Sequence, residues 1–376
     1  MRILFIGTLL VALAASCLQR EFAPDSTATL RFSSDTINFD TVFAPLGSTT
    51  FSCRVYNPGS ANLRFDAVQL AGGAASPFRM NVDGQAGYRV GGVKLAGRDS
   101  LFIFIEVQKN RELLLTDAIE FIANGAALSS RLEVVAYGQA VALLDGDSTL
   151  RGACTFTADR PYLVNGTLTV DSSATLNVEA GARLYFSAKA GLTVDGALTV
   201  SGTPATPCHF SFPRYNDPWY ANAVGQWGGI CISASGHAEV QCARLKGARC
   251  AFAVVDTLGE AQAAQLLLKQ TAVENAAVGL RVSGGRVVAD NCLFAGHTDN
   301  AALVEGGACR FYSCTFAAKS SYHGALVALQ GYRQHDTLPA PLNAYFGSCI
   351  VYGSNAEELS LRPHKGAGDP MQLRLE

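Results

Sequence analysis

Asp290-Asn-Cys292-Leu-Phe294, Tyr312-Ser-Cys314-Thr-Phe316 and Gly347-Ser-Cys349-Ile-Val351 are one short pattern written three times. Each ends in a brief apolar strand and carries a cysteine at its centre. The same slot is assigned upstream to Cys242 in Val240-Gln-Cys-Ala-Arg244 and to Thr271 in Lys269-Gln-Thr-Ala-Val273, giving slot-to-slot spacings of 29, 21, 22 and 35 residues. After each slot comes a polar or glycine turn and then a second apolar run: Cys250–Val255, Ala276–Val282, Asn300–Glu305 and Tyr322–Leu329. A period in the low twenties built from short strands predicts a parallel β-solenoid, in which each coil buries its apolar face only by stacking on its neighbours.

Working outward, the pattern extends back to about residue 146. Asn165-Gly-Thr-Leu-Thr-Val170, Ala174-Thr-Leu-Asn-Val178 and Ala190-Gly-Leu-Thr-Val-Asp-Gly-Ala-Leu-Thr-Val200 alternate apolar and polar residues between glycine turns, the period of a half-buried strand. With Gln226-Trp-Gly-Gly-Ile230 after a loop, these residues resemble the opening coils of right-handed parallel β-helix proteins of the pectate-lyase-like class. That resemblance implies a right-handed parallel β-helix over 146–376 and carries no particular activity with it.

Residues 29–142 follow a different rhythm. Strands are expected at Thr29–Phe32, Thr36–Phe39, Thr49–Asn57, Leu63–Leu70, Phe78–Val82, Leu101–Val107, Ala118–Ala123 and Ser129–Ala136, with Gly, Pro, Asn and Asp between them. Spacings of about 10 to 15 residues predict a β-sandwich. Thr36-Ile-Asn-Phe-Asp-Thr-Val-Phe-Ala-Pro-Leu-Gly47 with Val55-Tyr-Asn-Pro-Gly-Ser-Ala-Asn-Leu63 resembles the immunoglobulin-like domains of the Hydin and major-sperm-protein type. In such families the domain is a spacer or a protein-binding module. The fold expected for the chain is therefore all-β, an immunoglobulin-like β-sandwich followed by a right-handed parallel β-helix.

The N-terminus reads Met1-Arg2, an apolar run from Ile3 to Ala15, then Ser16-Cys17. One positive charge, a run too short to span a bilayer and small residues before a cysteine describe an export signal. Leu13-Ala-Ala-Ser-Cys17 resembles the lipobox of bacterial lipoproteins, with Ala14 standing where leucine is commoner. It implies cleavage after residue 17's predecessor, lipidation of Cys17 and a tether over 18–28. Acyl chains would then hold the protein on a membrane at about 0.8 kcal/mol per buried CH₂. The order of lipobox, immunoglobulin-like domain and β-helix resembles exported lipoproteins of the Bacteroidetes, and implies anchorage in the cell envelope, on its outer membrane.

Composition narrows the functional classes. The net charge is −2 and the 29 Lys and Arg are scattered, so no extended basic stripe marks nucleic acid as a partner. Charged residues make up only 16% of the chain while glycine is frequent, at 37 residues, as in turn-rich all-β exported proteins. No CxxC spacing occurs, so the cysteines call for no metal and the chain for no cofactor. Stacked in register about 4.8 Å apart, the ladder cysteines run parallel rather than turning toward one another, which predicts free buried thiols. Disulfides among Cys154, Cys208, Cys231, Cys250 and Cys309 stay open.

A catalytic reading needs carboxylates gathered on one face. The nearest grouping is Asp290, His297 and Asp299, although Gly296-His-Thr-Asp-Asn300 also reads as an exposed turn. A binding reading rests on aromatics. The excursion Phe210–Trp227 holds both tryptophans, and Tyr215, Trp219, Tyr220 and Trp227 with Arg214 form a candidate sugar platform. The alternative is a lid whose rings cover the coils. A second excursion, Gly331–Pro341, could border the same groove. The recurring Asp-Ser/Thr pairs resemble the O-glycosylation signal of Bacteroidetes exported proteins, with Ser26 and Thr337 as the expected sites, and also suit ordinary turn exits. The leading expectation is a non-enzymatic, lipid-anchored protein presenting its β-helix to a glycan or an envelope protein. A β-helix polysaccharide lyase or glycoside hydrolase is the alternative, and a structural envelope protein the third reading.

Overall fold

A computed structural model describes residues 21–43, 50–108, 114–214, 220, 222–256, 265–318, 323–333, 339–364 and 371–376. The chain divides into two compact units, Met1–Ala140 and Val141–Glu376.

The first unit is a sandwich of two sheets. One has the strand order Arg31–Phe32, Phe51–Tyr56, Ser100–Val107, Phe78–Val82, Gln85–Gly87, all antiparallel. The other runs Thr36–Phe43, Leu132–Gln139, Leu114–Ala123, Leu63–Leu70, Arg89–Leu95, and its first pair is parallel. Period-two alternation sends Phe39, Phe65, Phe78, Phe121, Ile103 and Ile105 inward to a single core. Strand Arg89–Leu95 has no counterpart in the sequence reading. Gly91 and Gly92 break its apolar alternation, and Gly92 sits at φ +68°, where L side chains are disfavoured.

The second unit is a parallel β-helix of nine coils, each contributing one strand to each of three nine-stranded parallel sheets. Its first coil starts at Ala142–Asp145, continues through Ser148–Leu150 and closes with Ala153–Phe156. The seventh shows the repeat well: Leu293–Ala295 in the first sheet, Asn300–Glu305 in the second, Gly307–Tyr312 in the third. Coil nine ends with Met371–Leu375, so the last residues form a strand.

Like residues stack along the axis. Phe210, Leu245, Val273, Phe294, Phe316 and Val351 form one inward column, in which the Phe294 and Phe316 rings lie 5.1 Å apart and nearly parallel. Offset aromatic pairs of this kind contribute about 0.5–1.5 kcal/mol beyond their burial.

Corners are columns too. Gln270, Asn291, Ser313 and Ser348 each have φ near +50° at the corner from the third sheet to the first. Gly247, Asn275 and Gly296 occupy the corner from the first sheet to the second, again with positive φ. One left-handed residue re-aims the chain in a single step, and Gly and Asn accept that conformation at least cost.

The cysteine ladder follows those corners, with one correction. Lys269 pairs with Asp290 and Ala272 with Leu293, placing Thr271 beside Cys292; by the same count Cys292 lies beside Cys314 and Cys314 beside Cys349. Upstream, Gln241 pairs with Lys269 and Arg244 with Ala272, so Ala243 and not Cys242 shares the slot of Thr271. Cys208 pairs with Ala243 and belongs to the ladder. Cys242 is itself the left-handed corner residue, at φ +49°, and its thiol reaches Gln270 Oε1 at 3.3 Å. The ten described cysteines are all free thiols, and Cys208, Cys292 and Cys314 are core residues. The Cys314 thiol is pushed far above its ordinary value by its hydrogen bond with Cys292 and by burial.

Candidate functional site

Of the residues singled out in the sequence, Cys17, Tyr215, Trp219 and Thr337 lie outside the described residues. The others divide between core and surface. Trp227 is 1% exposed; it stacks on Phe186 with centroids 4.4 Å apart, and its indole N–H donates to the Lys246 carbonyl at 2.9 Å. A side chain so held cannot meet a ligand, so Trp227 leaves the binding set and joins the packing. Tyr220 packs against the same core, and the exposed Arg214 lies over its ring at 5.6 Å. Ser26 lies in a turn in which Asp25 Oδ1 accepts from both the Thr27 N–H and the Thr27 hydroxyl.

Asp290, His297 and Asp299 do not form a site. Asp290 ends the third-sheet strand of coil six and faces solvent. His297 and Asp299 sit at the corner between the first and second sheets of coil seven. The six residues between Asp290 and His297 hold the first-sheet strand Leu293–Ala295 and a left-handed corner on either side of it, at Asn291 and Gly296, so the two residues lie at opposite ends of that strand. The expectation of an exposed turn at His297 is also corrected: the residue is 1% exposed. Its ring fills the space left by Gly279, where a Cβ would come within 2.8 Å of Nε2. Nδ1 lies 3.3 Å from the Ala276 carbonyl, while Nε2 is buried with no hydrogen-bond partner among the described residues. Burial holds the imidazole down, to about 4.

The outer face of the second sheet carries a polar cluster with no signature in the sequence. Glu305 is 1% exposed and its Oε2 accepts from Arg281 Nε and from the Ser283 hydroxyl, both at 2.9 Å. On the next coil, Gln330 is in register with Glu305 and buried, its Oε1 without a hydrogen-bond partner among the described residues. Among the described residues no three of His, Cys, Asp and Glu converge to hold a metal.

An open depression lies on the outer face of the third sheet at coils seven to nine. Register stacks Arg310, Tyr345 and Arg374 in one column, and Ala308, Asn343 and Gln372 in a second. Tyr312 stands beside them, 37% exposed, its ring 5.1 Å from that of Tyr345. Arg310, Tyr312, Asn343, Tyr345, Gln372 and Arg374 line a depression of about 660 Å³. Tyr345 donates its hydroxyl to Glu376 at 2.7 Å, a bond that raises the phenol above its ordinary value. Glu376 also pairs with Arg374. Arg310 is exposed and has no side-chain partner among the described residues. Two tyrosine faces, two guanidinium groups and two carboxamides on a rigid sheet supply stacking surface and hydrogen-bond donors together. None of these positions stood out in sequence, because each is one outward residue in a separate repeat; the signal was the tyrosines and arginines at outward positions of successive third-sheet strands.

No family model matches the sequence, and no curated protein matches it. Solved structures to which the chain is similar include WR4, a C. elegans member of the MSP family, at 8% identity over 30% of this chain and 98% of that one, with a TM-score of 0.21. A PapD-like domain of human CEP192 matches at 10% identity over 32% of this chain and 92% of that one, with a TM-score of 0.21. A family 123 glycoside hydrolase from Clostridium perfringens matches at 7% identity over 32% of this chain and 30% of that one, with a TM-score of 0.23. At such scores these likenesses carry no argument about function.

Proposed function

We infer that this protein is an exported, lipid-anchored and non-enzymatic protein of the cell envelope whose β-helix binds glycans. The observation that carries the reading is the open third-sheet face. Tyr312 and Tyr345 offer apolar ring faces of the kind that pack against the C–H face of a sugar, and Arg310, Asn343 and Gln372 surround them with donors for hydroxyls. The site stands on strands whose inward residues, Phe311 and Phe346, stack at 4.8 Å, so its geometry is fixed before a ligand arrives and little ordering cost remains. The Leu13–Cys17 lipobox supports the anchor and the export route. Separation of Asp290 from His297 and Asp299 weighs against the catalytic alternative.

The test is a glycan array and a polysaccharide-cleavage screen with the purified full chain in detergent. Binding without cleavage is expected, and Tyr345→Ala should weaken it at least tenfold with the melting temperature unchanged. Cleavage of any polysaccharide by the wild type would replace this reading with the enzyme. Equal binding by the tyrosine variant would remove the third-sheet face from it.

A further inference from the structure

Leu184, Phe210 and Leu245 lie on three successive strands of the first sheet and are almost fully buried. Alternation along a strand therefore turns the residues before them outward. Those residues are Arg183, His209 and Arg244, which are paired in register on coils three, four and five. Neighbouring positions in such a column are about 4.8 Å apart. Like charges directly opposite one another destabilise a sheet unless an acid intervenes. Here none of the three side chains has an ion pair or side-chain hydrogen bond among the described residues. Burial first, and then the charges of Arg244 and Arg183, hold the His209 imidazole below its ordinary value.

Arg244 also lines a depression of about 280 Å³ at the corner between the third and first sheets, with Thr203, Pro204, Gln270, Asn291 and Leu293. Its apolar members suit a ring face and its polar members suit hydroxyls. We propose that Arg183, His209 and Arg244 form an oxyanion row that receives a phosphate or sulfate ester carried on a sugar, with the ring seated in the depression beside Arg244. A guanidinium matches two oxygens at once, so a single arginine satisfies a carboxylate. A tetrahedral ester has three free oxygens to share among side chains on successive strands, which is the arrangement this column provides. The sugar in this assignment rests on the glycan-binding reading, whereas the oxyanion rests on the row itself.

The experiment titrates the purified full chain in detergent with glucose 6-phosphate, glucose 6-sulfate, glucuronate and glucose, followed by calorimetry. At least one ester is expected to bind ten times more tightly than glucose or glucuronate, and the stronger of the two identifies the group. Arg183→Gln and Arg244→Gln should each weaken that ester tenfold or more at an unchanged melting temperature. Esters bound no better than glucose, or unaffected by both arginine variants, overturn the row. Glucuronate bound as tightly as the esters overturns the tetrahedral assignment. Vesicles containing phosphatidate that bind through the same arginines, with free esters inert, reassign the row to lipid headgroups and overturn the sugar. Neutral glycans still bound at the tyrosine face would show that the proposed function stands while this inference has failed.

Discussion

The buried His297 makes folding of the β-helix depend on pH in a calculable way. Its ring is sealed between coils six and seven over Gly279, with Nε2 unpartnered among the described residues, and its value falls from 6.5 to about 4. In the unfolded chain the ring takes a proton at about 6.5, whereas in the folded chain it does not until the pH nears 4. Between those values the unfolded state binds more protons, so stability falls as the pH falls. A shift of roughly 2.5 units at 1.36 kcal/mol each amounts to about 3 kcal/mol, fully present above pH ~6.5 and lost by pH ~4. The assay is urea unfolding of wild type and His297→Gln, in a Trp219→Phe background so that fluorescence reports Trp227 alone. Taking the difference between the two proteins at each pH cancels the carboxylates that titrate in the same range. That difference should shrink by about 3 kcal/mol from pH ~7 to pH ~4, most steeply below pH ~6. A flat difference would mean that the folded ring reaches solvent and protonates freely, and the packing described over Gly279 would be wrong.

Three further outcomes are expected. Trp227→Ala should cost about 3–5 kcal/mol, the range for a buried large aromatic, and leave glycan binding at the tyrosine face intact in chains that remain folded; urea unfolding and the glycan array read the two effects. Cys314→Ser should cost about 1–3 kcal/mol by placing a hydroxyl in the core column, with Cys314→Ala milder, and thiol titration of the unfolded, unreduced protein should recover Cys292, Cys314 and Cys349 as free thiols. Cys17→Ala should move the protein from the membrane pellet to the soluble exported fraction, since all membrane affinity is assigned to acyl chains; retention in the pellet after carbonate extraction would refute the anchor.

The β-helix was legible because its signal is local and repeated. Cys292, Cys314 and Cys349 each follow a left-handed Asn or Ser, and that dipeptide recurs after 22 and then 35 residues, the longer step holding the excursion Gly331–Pro341. At Cys242 the local pattern misleads, because Gln-Cys-Ala imitates Gln-Thr-Ala although the cysteine itself takes the left-handed position. Cys208 is masked in sequence because the excursion after Phe212 destroys the spacing. Burial of His297 was hidden for another reason. Gly-His-Thr-Asp-Asn has the composition of a turn, and the space that receives the ring is made by Gly279 on the previous coil. The third-sheet face was hidden for the same reason, since Arg310, Tyr345 and Arg374 become neighbours only through register between strands about 30 residues apart in sequence.

The two-residue corner between the third and first sheets has an architectural consequence. Gln270-Thr271 and Asn291-Cys292 hold equivalent places on consecutive coils, as Lys269 opposite Asp290 and Ala272 opposite Leu293 require. A cut after Gln270 and another after Asn291 would excise one complete coil and rejoin the chain with every later side chain still facing its former sheet. The same cuts, used to insert rather than remove, would add a storey. Length is therefore a property this fold can change in whole units by duplication or loss, each step altering one interface between neighbours. The immunoglobulin-like unit, whose sheets draw their strands from distant parts of the chain, has no such seam.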